Sequence, residues 1–173
     1  GEVLVTADYQ PVASDIPLMP KFGMRMAVNT NVYAKYAVVD WYGRGPEENY
    51  PDRKLSQHIG HYHMAVKDYE TDYLRPQDNG NRCDVRWMQV FTDQMKPLLI
   101  MGTQPLCMRV NDYRTSELES GRRHPFEIVH DVNALYLNID LNIHGVGGVD
   151  TWGQRTLPQY TIDGNKGYKY SFI

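Results

Sequence analysis

Cys83 and Cys107 are the only cysteines among the 173 residues. So sparse a pair defines no disulfide framework, and two free thiols are the expected state. Long apolar runs are missing as well. The longest, Pro97–Met101, falls far short of the roughly 20 apolar residues that a membrane-spanning helix needs, so no membrane partner is expected. There is no basic excess either. The 18 Lys and Arg are scattered and outnumbered by 21 Asp and Glu, giving a net charge of −3. A nucleic-acid partner calls for a basic patch or stripe, so none is expected. Gly1 and Glu2 stand where a secretory leader would be basic. The start is extended-looking (Val3-Leu4-Val5-Thr6) and has no initiator Met, so the chain reads as a piece of a longer protein. Nucleophile-elbow, P-loop and dinucleotide signatures are absent. Gly145-x-Gly147-Gly148 lies between strands and precedes no helix, which removes a nucleotide reading.

Composition is that of a globular protein, 42% hydrophobic and 23% charged, and the length suits a single domain over residues 1–173. The dominant period is two. Alternation runs through Lys21–Asn29, Tyr62–Asp68, Leu106–Val110, Leu135–Leu141 and Tyr168–Phe172. That is the mark of strands with one buried face. Further extended candidates are Val3–Asp8, Tyr33–Tyr42, Asp84–Phe91, Pro97–Gly102 and Phe126–His130. Thirteen tyrosines suit half-buried sheet positions. About ten antiparallel strands predict two packed sheets. Helix signals are few: a capping-box spacing of Ser116 with Glu119 predicts one turn within Thr115–Arg122, and Asp52–His58 is a second candidate. The class is therefore all-β, a large antiparallel sandwich with at most one or two short helical turns. Asn79-Gly80 and Asp163-Gly164 are turn dipeptides. Two long irregular stretches, Gly43–Gln57 and Gly145–Gln159, are of the length that is usually functional or tied to an interface.

Chemistry concentrates in those stretches. Glycines and prolines stiffen Gly43–Arg53, and into that frame are set Glu48, Asn49, Asp52 and Arg53. Such a loop is either satisfied by its own ion pairs or forms an interface or pocket wall. His58, His61 and His63 are the only metal-like grouping in the sequence. No carboxylate or Cys completes a known ligand spacing, so surface histidines are expected and no metal site.

Trp41-Tyr42-Gly43-Arg44-Gly45-Pro46-Glu47-Glu48-Asn49-Tyr50-Pro51-Asp52-Arg53 resembles the hallmark stretch of the small C-terminal domain of bacterial β-galactosidases of the large LacZ type, glycoside hydrolase family 2. Pro76-Gln77-Asp78-Asn79-Gly80-Asn81-Arg82 resembles that domain's Pro-x-Glu-Asn-Gly-x-Arg loop, with Asp78 in place of Glu. Leu137-Asn138-Ile139-Asp140 and Gly145–Gly153 resemble its last large loop, with Val149 replacing an acidic residue and His144 a Met. The resemblance covers roughly Pro20 to the end.

It implies a supersandwich related in fold to aldose mutarotases, in a bacterial protein of the cytoplasm or periplasm. It also implies that the catalytic carboxylates lie on a TIM barrel elsewhere in the parent chain, which would be this domain's partner. Retaining glycoside hydrolysis needs two carboxyl groups about 5 Å apart, and no acid here has an apolar sequence context that would raise it into general-acid range. Any magnesium or sodium ions the parent needs would bind elsewhere, so no cofactor is expected in this chain. Trp152, with Asp150 beside it, would meet the galactoside substrate at the mouth of the active site. An indole face suits the C–H face of a pyranose. The competing role for Trp152 is a plug in the domain's own core, the role expected of Trp41 and Trp87 in their strands. Glu48, Asn49, Asp52, Arg53, Asn79 and Arg82 are expected to share one hydrogen-bonded network at one end of the sandwich, because charged groups in rigid loops tolerate burial only when paired. Rival readings are a stand-alone sugar-binding module and a mutarotase-like enzyme. The latter needs a His and a carboxylate converging on one pocket.

Overall fold

A computed structural model describes residues 1–173 except 31, 32, 120, 122, 123 and 149. The departure noted at Val149 thus falls outside the described residues, as does the far end of the helical turn expected up to Arg122. Eight strands appear among the described residues: β1 (Val5–Tyr9), β2 (Lys21–Asn29), β3 (Val38–Gly45), β4 (His58–Ala65), β5 (Arg82–Phe91), β6 (Leu98–Asn111), β7 (Ala134–Ile143) and β8 (Tyr168–Phe172). Every pairing is antiparallel. Among the described residues, helix is confined to α1 (Val66–Tyr69), α2 (Thr115–Glu119) and three 3-10 turns. The all-β antiparallel class read from the alternation is the class observed.

The strands form one sheet in the order β1-β8-β6-β5-β3-β4, and β7 and β2 branch from β6. The branch explains why one sheet stands where two were expected. β6 runs for 14 residues. One of its edges pairs with β5. The other pairs with β7 along Cys107–Asn111 and with β8 at Gly102. The two ribbons leaving that edge, β2–β7 and β1–β8, pack on each other. Phe22 of β2 lies 5.8 Å from the Tyr9 ring of β1 and 5.5 Å from the Tyr168 ring of β8. The Tyr170 hydroxyl donates to the Ile139 carbonyl at 2.8 Å. One core collects Val39, Trp41, Val85, Met88, Leu106, Val110, Leu135, Leu137, Ile139 and Phe172, with Met24, Met26 and Val28 against it. Leu106, Val110, Leu135, Leu137, Ile139, Phe172, Met24, Met26 and Val28 are the inward members of the predicted alternations, and Val39, Trp41, Val85 and Met88 come from the other extended candidates. At about 25 cal/mol per Å² of apolar surface, they supply the main stabilising term.

Four local readings are corrected. Pro97–Gly102 and Leu106–Val110 are one strand rather than two. Pro105 is tolerated between them because the β5 register slips there, from Val85↔Leu106 to Trp87↔Met101, and no ladder donor is required. Phe126–His130 is not a strand. Pro125 opens a 3-10 turn, and Phe126 and Val129 stay exposed. Val66–Asp68 leaves β4 and turns helical, because Val66 and Tyr69, three apart, both bury on that geometry. Asp52–His58 forms hydrogen-bonded turns, with Arg53 N–H to Tyr50 O at 2.8 Å and Gln57 N–H to Lys54 O at 3.1 Å, and no helix.

Candidate functional site

The alternation places Cys107, Arg109, Asn138 and Asp140 on the polar side of their strands, yet all four are buried, as is Arg82 at the start of β5. The cause is the two motif loops, which fold over this end of β5, β6 and β7 and cover its second face. Tyr50, Cys83, Cys107 and Ile143 make a small second core beneath them. A buried polar group must find a partner, so the face becomes a network.

Glu48 sits at the junction of the first two loops. It accepts from the Arg53 guanidinium, from the Tyr73 hydroxyl and from the Gly80 N–H at 2.8 Å. The Arg53 guanidinium stacks over the Tyr50 ring, 5.1 Å from its centroid. Asn49 stitches its loop to the start of β5: its N–H donates to Asn81 O at 2.8 Å, and its Oδ1 accepts from Cys83 N–H at 2.9 Å. Asn79 accepts from Thr71 N–H at 3.3 Å and donates to the Tyr113 hydroxyl at 2.9 Å. Gly80 adopts φ +78°, the left-handed conformation that favours glycine at this turn. Arg82 is buried and has no carboxylate partner among the described residues. It donates to Gly80 O and Tyr69 O, and its guanidinium lies 4.0 Å from the Tyr69 ring centroid and 5.3 Å from that of Trp41.

Asp52 belongs to a different branch. It reaches the third motif, accepting from Val146 N–H at 3.1 Å, Gly147 N–H at 2.7 Å and the Thr156 hydroxyl at 2.9 Å. Partial burial works against its charge, but those donors outweigh it and hold the carboxyl below its usual value. The structure thus gathers Glu48, Asn49, Arg53, Asn79 and Arg82 around the first two loops and uses Asp52 to anchor the last one.

Beside the network lies a cavity of about 370 Å³, lined in part by Leu18, Lys21, Tyr50, Asp78, His144 and Arg155. Asp78 receives Lys21 Nζ at 2.7 Å, Arg109 Nη1 at 2.9 Å and the Tyr50 hydroxyl at 3.3 Å. Burial opposes its ionisation, but Arg109 and Lys21 prevail and the carboxyl is lowered. Nearby Asp140 is pushed up to about 6, chiefly by burial, with Lys21 and Arg109 pulling the other way. Burial and the adjacent Asp78 and Glu48 charges keep the Tyr50 phenol protonated. Lys21, Tyr50, Tyr73, Arg109, Asp140 and Thr156 were not read from the sequence as site residues. The available signal was that two long irregular stretches, the first of them rich in charge, must cover something.

Trp152 is 91% exposed, so its ring takes no part in the core. Its backbone is held locally: Asp150 Oδ1 accepts from the N–H groups of Trp152 at 2.8 Å and Gln154 at 3.2 Å, and Gly153 follows at φ +86°. Trp41, by contrast, is fully buried, and half-buried Trp87 packs on the His61 ring. His58, His61 and His63 are exposed, and His63 Nδ1 lies 2.5 Å from Asp40. Among the described residues, the group of potential metal-ligating side chains that does converge is Glu70, Asp112 and His130, which no sequence spacing suggested.

These features define an antiparallel β-domain with its polar groups tied together under loops at one end and an aromatic side chain offered to solvent beside them. The chain belongs to the β-galactosidase small-chain family, whose model matches residues 1–173. It is 34% identical over 172 residues to a β-galactosidase of Priestia megaterium, 99% of this chain and 16% of that one. It is 35% identical over 169 residues to the enzyme of Lactobacillus delbrueckii subsp. bulgaricus, 96% of this chain and 16% of that one. A Vibrio cholerae β-galactosidase matches at 35% over 151 residues, 87% of this chain and 14% of that one. The chain therefore spans about a sixth of the length of the curated relatives it matches.

Proposed function

We propose that this chain works as the small-chain domain of a glycosidase that hydrolyses terminal β-D-galactosides, buttressing a catalytic barrel supplied by the rest of the protein and lending Trp152 to the sugar pocket. The observation that carries the reading is the placement of Trp152. A fully exposed indole on a loop that Asp52 anchors to a charged, hydrogen-bonded end of the domain has no packing role inside the domain. Its flat apolar face is suited to the C–H face of a pyranose. Asp150 fixes the backbone of that loop and stands beside the ring as a polar contact for sugar hydroxyls. The network of Glu48, Asn49, Arg53, Asn79 and Arg82 holds the loops rigid enough to meet a neighbouring domain.

Trp152→Ala in the full-length protein tests the proposal. Substrate binding should weaken by about 1–2 kcal/mol, roughly fivefold to thirtyfold. The melting temperature of the chain should stay within a degree or two, since an exposed ring contributes little core. Unchanged substrate affinity in the full-length variant would remove Trp152 from the sugar pocket.

One observation favours a mutarotase-like second reading. Glu70, Asp112 and His130 converge beside a cavity of about 670 Å³, which meets the requirement for a His and a carboxylate on one pocket. Glu70 is pushed up to about 7 by burial and by Asp112, so it exchanges protons near neutrality. Polarimetry of galactose anomer exchange with the chain present decides it, and an exchange rate equal to the buffer rate ends it.

A further inference from the structure

Cys83 and Cys107 stand opposite each other on β5 and β6. They follow the Arg82↔Met108 pair, one residue further along each strand, where the register breaks before Val85↔Leu106. Their sulfurs are 3.7 Å apart. Closing the gap asks each sulfur to move by less than about 1 Å toward a bond of about 2.0 Å, a side-chain rotation rather than a backbone shift. Both thiols are reduced and nearly inaccessible from bulk solvent. They are not sealed in, however. A cavity of about 250 Å³ is walled by both sulfur-bearing residues together with Pro51, Lys54, Asp84 and Tyr160, and it is large enough to admit a small oxidant.

The geometry points to Cys83 and Cys107 as a dithiol modification site that small peroxides oxidise to an intramolecular disulfide beneath the first motif loop. The reaction balances with hydrogen peroxide as the oxidant. The sulfur of Cys83 attacks one peroxide oxygen, the O–O bond breaks, and water leaves with Cys83 as a sulfenic acid. The sulfur of Cys107 then attacks that sulfenic sulfur and loses its proton, the S–O bond breaks, and a second water departs as the S–S bond forms. Two thiols and one peroxide give one disulfide and two waters.

The order follows from the contacts. The Asn81 amide donates to Cys83 Sγ at 3.4 Å, and Cys83 Sγ in turn donates to Asn49 O at 3.5 Å. Cys107 donates its own proton to Cys83, and that bond together with burial raises its thiol well above the ordinary value, which disfavours it as the sulfur that starts the reaction, while its 3.7 Å distance from Cys83 Sγ leaves it the sulfur placed to attack the intermediate. Oxidation removes the Cys83 S–H that faces Asn49 O. The site thereby reports on, and acts on, the strand end from which the Gly43–Arg53 loop is held. Nothing in this proposal depends on the sugar-pocket reading.

Peptide mapping of the native protein after exposure to hydrogen peroxide tests it. Trypsin should release residues 83–86 and 87–109 joined through sulfur, about 2 Da lighter than the sum of the two free peptides. Both thiols should vanish together and return with dithiothreitol. In Cys107→Ala the reaction should stop at Cys83 sulfenic acid, trapped as a dimedone adduct. Thiols that stay free, sulfinic acid without a link, or bridges only between molecules would each overturn the proposal. The wild-type map decides even if the variant fails to fold.

Discussion

Glu70 shows how much one side chain's surroundings decide. It follows α1 and faces Asp112, and Asn111 Nδ2 donates to it at 3.2 Å. Burial first, and the Asp112 charge second, push its carboxyl up to about 7 from 4.5. A folded-state value above the unfolded one means that the proton stabilises the fold. Glu70's contribution is thus fully present below about pH 4.5 and lost as pH rises through about 7. Glu70→Gln should therefore stabilise the chain at about pH 8 by roughly 1–3 kcal/mol, discounted for partial exposure. The two melting curves should converge by about pH 4. A variant equally or less stable than wild type at pH 8 would show that the charge is compensated. Asp52, Asp78 and Asp84 run the other way. Their carboxyls are lowered, so what they contribute is present above their ordinary range near pH 4 and lost below it.

Among the elements, β2 and β7 show a constraint that alternation does not reveal. Their register shifts between Phe22 and Gly23, and a Cβ on Gly23 would lie 2.1 Å from Asp140 Oδ1 and 2.4 Å from Asp140 Cα. Gly23 is required by close approach rather than by φ. The bulge seats Asp140 where Lys21 and Arg109 act on it. Gly23→Ala should cost more than about 2 kcal/mol, because backbone must move to make room. Gly153→Ala offers the contrast: nothing lies within 4 Å of the added carbon, but φ is +86°. That variant should lose only about 1 kcal/mol. Thermal melting of the pair separates the two causes, and equal losses would contradict the account.

For the whole molecule, the division of labour sets the expectation. The chain spans about a sixth of its relatives, and two carboxylates of its loop network are committed to structure: Asp78 to Lys21, Arg109 and Tyr50, and Glu48 to Arg53, Tyr73 and Gly80. The 173-residue chain should not hydrolyse a chromogenic β-galactoside above background. Turnover that copurifies with it and disappears on mutating one of its own acids would end the small-chain-domain reading.

Residue order alone settled the class, most strand positions and the family. Inward residues such as Met24, Met26, Leu135 and Leu137 repeat every second position, and a one-residue slip would turn them to solvent. The three motifs are local strings that need no folding to be seen. Even so, Phe126–His130 looked like a strand, because local pattern cannot tell whether a partner strand will be there. Tertiary structure decided what the second face of the sheet would meet. Arg109, Asn138 and Asp140 sit where alternation predicts solvent, and only the loops folding over them make them buried members of a network. The meetings of Asp52 with Gly147, of Cys83 with Cys107, and of Glu70 with His130 join residues that sequence keeps 95, 24 and 60 positions apart. Register, the branch at β6 and loop closure bring such groups together, and each of these is set by the packing of the whole chain rather than by any window along it.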